Sequence, residues 1–321
     1  MRNILNSIDI KEDSILKKYP IILSTLLLDR TTNKNIIWAT DNYKLNGKEY
    51  GPKCQIKQEL ITGKKGKTIK PRSKKNKKEQ YLRSREDAEV FTPSWMCNIQ
   101  NNLIDERWFG YKNVFNESHN SHWNTNEDKI RFPKNKTWKK YVKDTRLEIS
   151  CGEAPYIVSR YDTVTGKKIP IKNRIGLLDR KLRVISENVT EKDEWLKWAE
   201  LAYKSIYGYD LQGDNVLIAR ENLLFTLRDY YKYIFHKNLD ENTMLKFAEI
   251  ISWNIWQMDG IKGVVPNSCH SIKSKNKGEK PKKCTGCEKN DILKHNGKYC
   301  QIMDWQKNEK VKFISLISKE K

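Results

Sequence analysis

Four cysteines near the end of the chain have the type and spacing to hold a metal: Cys269, Cys284, Cys287 and Cys300. Cys284 and Cys287 form a Cys-x2-Cys pair, with one distant cysteine on either side. Thiolates are soft ligands, and four of them close a tetrahedral zinc shell with no position left for water, which makes such a site structural and not catalytic. His270 or His295 could replace an end ligand. The sequence between the cysteines is rich in lysine and holds Gly and Pro, so it has little to bury, and a metal would order it. Reduced free thiols are the alternative reading. A second constellation lies mid-chain. A short β-prone run, Thr145 to Ile149, stops at Ser150, Cys151 and Gly152, and helix-compatible sequence resumes from Tyr156. A strand, a glycine turn and a helix N-terminus together form a nucleotide-type pocket, because glycine lets the backbone approach a ligand that a Cβ would push away. A further strand, Ser205 to Tyr209, is closed by Asp210. A carboxylate there can accept both hydroxyls of a ribose, or it can cap the helix that follows.

These segments resemble, in order, the cofactor-binding half of the S-adenosylmethionine-dependent DNA adenine-N6 methyltransferases of restriction-modification systems. Phe91, Thr92 and Pro93 match the family's Phe-Thr-Pro segment, and Cys151 and Gly152 match its Asp-Pro-x-Cys-Gly-x-Gly loop. Glu148 stands where the family has Asp, and Ala154 replaces the second glycine. The match spans roughly residues 85 to 262. It implies a Rossmann-like class I methyltransferase fold of the α/β class. It also implies a cofactor site at Phe91, Thr92, Pro93, Glu148, Cys151, Gly152, Asp210 and Asp259. Asp259, at the end of an apolar strand, would accept the cofactor's adenine amino group, although Asp-Gly is equally a plain turn. The family's Asn-Pro-Pro-Tyr-like motif, which grips the flipped base, has no counterpart: no Pro-Pro occurs in the 321 residues. A complementing catalytic or specificity chain would then supply it.

Composition frames these readings. Hydrophobic residues make up 37% of the chain and aromatics 10%, enough for a packed core and too much for global disorder. The formal net charge is +22, which points to a polyanionic partner such as DNA, or to lysine-rich compositional drift. The densest basic run, residues 62 to 85, contains Lys64, Lys65, Lys67, Lys70, Arg72, Lys74, Lys75, Lys77 and Lys78. Gly63, Gly66 and Pro71 break helix there, so the run reads as a flexible loop, either a linker or an arm tracking DNA phosphates. Arg160, Arg180 and Arg183 either face phosphates or pair with acids at the surface. The apolar stretch from Ile21 to Leu28 is far too short to span a membrane, and seven cysteines without a signal sequence suit a reducing cytoplasm. Residues 1 to 50 show no acid followed by Glu-x-Lys, the pattern of a metal-dependent nuclease.

The elements that must position these residues follow from periodicity. Residues 1 to 84 form a helical and basic extension. Residues 85 to 262 form the Rossmann-like domain, 263 to 300 an inserted zinc-ribbon-like segment, and 301 to 321 the domain's C-terminal strand. Within the second unit, Thr92 reads as a helix N-cap and Pro93 as the first turn. Trp95, Met96, Ile99 and Leu103 recur at helical spacing and predict the buried face. Residues 110 to 140 read as a surface loop in which His119 and His122 are not ligands. Residues 191 to 205 are an amphipathic helix. Two functions remain open: a DNA adenine methyltransferase (M) subunit, or a non-catalytic DNA-binding subunit that keeps the fold. A zinc-bearing RNA methyltransferase relative is a third.

Overall fold

A computed structural model describes residues 8–272 and 281–317. The lysine-rich stretch 273–280 between Cys269 and Cys284, and residues 1–7 and 318–321, lie outside the described residues.

In chain order, helices α1 (Glu12–Lys18) and α2 (Pro20–Leu27) lead into the small hairpin β1 (Leu28–Asp29) and β2 (Lys34–Asn35). Short 3-10 turns carry the chain to α3 (Lys77–Asp87) and α4 (Ser94–Phe109). The hairpin β3 (Asn116–His119) and β4 (His122–Thr125) and helix α5 (Trp138–Lys143) follow. Next come β5 (Arg146–Glu148), α6 (Leu177–Asn188), α7 (Lys192–Lys204), β6 (Ile206–Asp210), α8 (Gly213–Phe235), α9 (Glu241–Asn254) and β7 (Ile255–Gln257). The short helix α10 (Thr285–Lys289), the hairpin β8 (Gln301–Asp304) and β9 (Glu309–Lys312), and α11 (Ile314–Ile317) complete it.

Strands β5, β6 and β7 form one parallel sheet in that order, with Leu147 opposite Tyr207 and Tyr209 opposite Trp256. Parallel neighbours need crossover connections, and the helices between the strands provide them. Side chains alternate across the sheet. Ile206 and Ile255 face the main core with Val216, Leu217 and Leu224 of α8, whereas Tyr209 and Trp256 face a second cluster with Ile302 and Phe313. Helix α8 is buried on nearly every side over its first 15 residues, as expected of a central helix. Gly213 opens it because a Cβ there would lie 2.1 Å from the carbonyl oxygen of Ile37.

Several expectations need correction. Segment 62–85 is folded against the body as 3-10 turns and α3, and Gly63 donates its N–H to Asp13 at 2.6 Å. Helix α4 starts at Ser94 with Pro93 as N-cap, so Thr92 does not cap it. Its buried face carries Cys97, Asn98, Asn101 and Asp105, while Met96, Ile99 and Leu103 point to solvent. The reason is Arg180 on α6, which donates to Asp105 at 2.6 Å, to Asn98 at 2.8 Å and to Asn102 at 2.7 Å. A buried guanidinium needs polar partners, so the polar stripe turns inward. Arg160 likewise pairs in the interior and not at the surface. Residues 110 to 140 contain a hairpin and the start of α5. Among the described residues β8 pairs with β9 only, so residues 301–312 form an antiparallel hairpin over one face of the sheet, followed by α11, and not a strand within it.

No helix among the described residues is long and apolar enough to cross a membrane.

Candidate functional site

A cluster that could hold a metal ion assembles from Cys269, Cys284, Cys287 and His295, whose ligand atoms all lie within 4.8 Å of one another. Each of the three sulfurs is 3.6 Å from Nδ1 of His295. A tetrahedron built with Zn–S of about 2.3 Å and Zn–N of about 2.0 Å has S···N edges of about 3.5 Å, so this spacing fits zinc. Local sequence makes it possible. Cys284 is the N-cap of α10, and its sulfur accepts the Cys287 N–H at 3.4 Å. Gly286 leaves room for the His295 ring, which an added Cβ would approach to 2.7 Å. Gly297 leaves room for Cys269, whose sulfur would lie 3.0 Å from such a Cβ.

Cys300 is not part of this cluster. It lies in the second core cluster, its thiol 3.4 Å from the Gln257 carbonyl, because the chain there joins the hairpin against the sheet. His270 is outside the cluster too, its backbone N–H bonded to Asn296. The cluster hangs on the end of β7: Asp259 bridges to Val264, and Val264 bridges to Tyr299. Both Asp259 and the ligands line one surface cavity of about 430 Å³.

The mid-chain constellation converges at the carboxyl ends of β5 and β6. Asp210 Oδ2 accepts the Gly152 N–H at 2.9 Å, and Oδ1 accepts the Gln212 N–H at 2.9 Å. Each oxygen keeps acceptor capacity beyond that bond. Burial pushes the Asp210 carboxyl up to about 6, against the opposing pull of those two N–H groups. Gly152 has φ +52°, and an added Cβ would lie 3.3 Å from the Phe91 ring. Phe91 therefore roofs the loop. Ser150 and Ala154 also have positive φ, 50° and 63°, so three residues of one short loop occupy the left-handed region.

Glu148 lies beneath the loop, buried, accepting the N–H groups of Tyr156 at 3.4 Å and Ile157 at 3.2 Å. Burial raises its carboxyl well above the ordinary range. It ties the loop to the strand from below. Cys151 is buried and donates its N–H to Tyr209, so it offers the site its backbone alone. The Thr92 carbonyl accepts from Thr163 Oγ1 at 3.2 Å, and Asp162 accepts the N–H of Ser94 after Pro93 at 2.7 Å. Asp259 follows β7 and pairs with Lys262 at 2.6 Å.

One group of residues was invisible to the motif reading. Arg83 binds Glu89 through Nε and Nη2, and Asp214 through Nη2 at 2.9 Å. Lys75 reaches Asp214 at 3.4 Å, and Tyr43 donates to it at 2.7 Å. Gln212 and Asn215 donate to Glu89 at 3.0 and 3.2 Å. This network holds residues 75–89 against the start of α8, just after Asp210, and so places Phe91. Arg72 adds a guanidinium 5.3 Å from the Phe91 ring centroid. The only signal in the sequence was the acid at position 89, between a basic run and Phe-Thr-Pro.

Of the nine basic residues expected on DNA, Lys64, Lys65, Lys67, Lys74, Lys77 and Lys78 are exposed, Lys70 and Arg72 are half-buried, and Lys75 is buried. Lys75 cannot serve as a phosphate contact, since its ammonium is committed to Asp214 and the Lys70 carbonyl.

No family model, curated protein or solved structure matches the chain.

Proposed function

We propose that the chain is the S-adenosylmethionine-binding part of a DNA adenine-N6 methyltransferase of the Rossmann-like class, with a structural zinc at its Cys3His cluster. The observation that carries the reading is the bond from Gly152 N–H to Asp210 across the carboxyl ends of two parallel strands. Ligands of open α/β sheets bind at that edge. Asp210 would accept ribose hydroxyls, Asp259 would accept the adenine amine, and the Phe91–Gly152 contact would shape the loop for close backbone approach. When bound, the cofactor supplies an electrophilic methyl group. This chain's residues would orient it and exclude water, with no nucleophile from the protein. The exposed lysines of residues 64–78 would follow DNA phosphates.

Isothermal titration of the full chain with S-adenosylmethionine tests the reading. Saturable binding is expected, weakened by at least ~1.5–3 kcal/mol in Asp210→Ala, the scale of a lost charge-assisted hydrogen bond. No binding, or equal binding by the variant, rejects the pocket.

A second reading, a DNA-binding subunit without catalysis, draws on the open outer edge of β5, which leaves the glycine loop one-sided among the described residues.

A further inference from the structure

Arg72 belongs to the basic run, yet its side chain is half-buried and lies over the Phe91 ring, 5.3 Å from the centroid. The same ring covers Gly152, where an added Cβ would meet it at 3.3 Å. The Arg72 backbone is tied to that loop. Its N–H donates to Oε1 of Glu153, the residue after Gly152, at 2.5 Å, and its carbonyl accepts from Gln80 Nε2 at 3.0 Å. The guanidinium itself enters no hydrogen bond or ion pair among the described residues, and its Nε is buried without an acceptor. The acids of this part of the fold are taken. Glu153 Oε2 accepts the Tyr161 hydroxyl at 2.6 Å, Glu89 is bound by Arg83, and Asp214 by Arg83 and Lys75.

A half-buried cation without a counter-charge is costly, and a buried donor without an acceptor adds to that cost. A ligand's anion removes both. Contact with the ring does not use the donors up, because a guanidinium over an aromatic face keeps its N–H groups in its own plane. That fork grips a carboxylate through two parallel hydrogen bonds. Gly152 connects the two ends of the site: its N–H bonds Asp210, and its Cα packs on Phe91. A ligand with its ribose at Asp210 therefore lies beside Gly152, and Phe91 and Arg72 are the next groups along the loop. S-adenosylmethionine carries a carboxylate at the end remote from its adenine.

We propose that Arg72, held on the Phe91 ring, takes the carboxylate of S-adenosylmethionine and so selects a cofactor with its amino-acid end intact. The inference rests on the S-adenosylmethionine reading of the glycine loop. It withdraws Arg72 from the residues expected on DNA, and leaves that task to the exposed lysines around it.

The test is equilibrium binding of the full chain to two probes: S-adenosylmethionine, and its decarboxylated form, which lacks the carboxylate alone. The unmodified chain should prefer the first by about tenfold or more, the scale of a charge-assisted pair. Arg72→Gln should abolish the preference, weakening S-adenosylmethionine and sparing the decarboxylated compound. Arg72→Lys, which keeps the charge without the fork, should retain part of it. A residue that only packs the loop would move both probes together, so the ratio of the two affinities separates recognition from packing. Equal affinities in the unmodified chain, or an equal effect of Arg72→Gln on both probes, overturns the proposal and leaves the cofactor reading in place. So does an Arg72→Gln chain that loses affinity for duplex DNA while its preference between the probes is unchanged. Failure of the unmodified chain to bind either probe overturns the proposal and the cofactor reading together.

Discussion

Lys75 places its ammonium 3.4 Å from the Asp214 carboxylate, and both side chains are almost fully excluded from water. Arg83 joins the same carboxylate at 2.9 Å. Burial alone would raise Asp214, but Arg83 and Lys75 hold it well below the usual range. Removing one member of a buried charged group leaves the others uncompensated, at a cost of roughly 3–5 kcal/mol. Asp214→Ala should therefore lower urea stability by about that amount. Lys64→Gln and Lys74→Gln, at exposed positions, should stay within about 0.5 kcal/mol. Equal effects from the buried and exposed changes would mean the network is not formed.

That network shows where sequence reading stops. The glycine turn at Gly152 and the acid Asp210 closing a β-prone run were marked by local chemistry, whereas Phe91 was singled out by the resemblance alone. The fate of the basic run was not legible. Nine cations in 15 residues look alike in sequence, and only the tertiary position of Asp214, 139 residues away from Lys75, decides which one is buried. Helix α4 misled in the opposite sense. Its apolar stripe at Met96, Ile99 and Leu103 gave a regular period, but Arg180 on a distant helix claimed the polar face for the interior. Cys284 and Cys287 were legible from their spacing; counting cysteines put Cys300 in the fourth place with His270 or His295 as a substitute, and folding brings His295 there.

The Cys3His cluster gives a prediction that separates those two residues. Protein purified without chelators should carry about one zinc per chain on the Cys3His set. His295→Ala should lose it, and so should Cys284→Ser with Cys287→Ser. Cys300→Ala should keep it, since that thiol faces the Gln257 carbonyl within the core. Elemental analysis decides. Zinc retained in the His295 variant and lost in the Cys300 variant would reverse the ligand assignment.

Asp210 sets a pH dependence. Its carboxyl sits at about 6 instead of the ordinary 3.8, owing to burial. Only the ionised form can accept hydroxyls at both oxygens. Binding of S-adenosylmethionine should be strongest above pH 6 and fall as pH drops through that value, by up to about tenfold per unit. The same raised value means the folded protein binds this proton more tightly than the unfolded chain. Its contribution to stability is therefore present below about pH 4 and lost as pH rises to 6. Titrations from pH 5 to 8 with a flat affinity would remove Asp210 from the ligand's contacts.

Ala154 holds φ +63° with its side chain fully buried, in the place where the resembled loop has a glycine. An L-residue in the left-handed region costs roughly 1–2 kcal/mol, and glycine gives back part of that through greater freedom when unfolded. Ala154→Gly should therefore stabilise the chain by about 0.5–1 kcal/mol, read as a higher urea midpoint at an unchanged slope. A lower midpoint would show that the buried methyl group outweighs the backbone strain.

The outer edge of β5 carries the riskiest expectation. Strands of parallel sheets are ordinarily buried on both sides, yet β5 has a neighbour only in β6 among the described residues. Leu147 is 45% exposed and Ile149 66%. On the same face, Leu147, Tyr207, Trp256, Ile302 and Phe313 line an open groove of about 530 Å³. In open α/β sheets the ligand crevice lies where strand order reverses, and a reversal at β5 requires another strand on its free side. Methyl transfer also needs the target amine held in line with the methyl group, which a one-sided site cannot do. The chain alone should bind S-adenosylmethionine but transfer tritiated methyl to adenine-rich duplex DNA poorly. Adding the product of a neighbouring reading frame that carries an Asn-Pro-Pro-Tyr-like segment should restore transfer, slow amide exchange at residues 146–149, and fail to do either with Ile149→Arg. Robust turnover by the chain alone would place the base-gripping residues within it, with the segment from Gly263 to Ser268 the first to mutate.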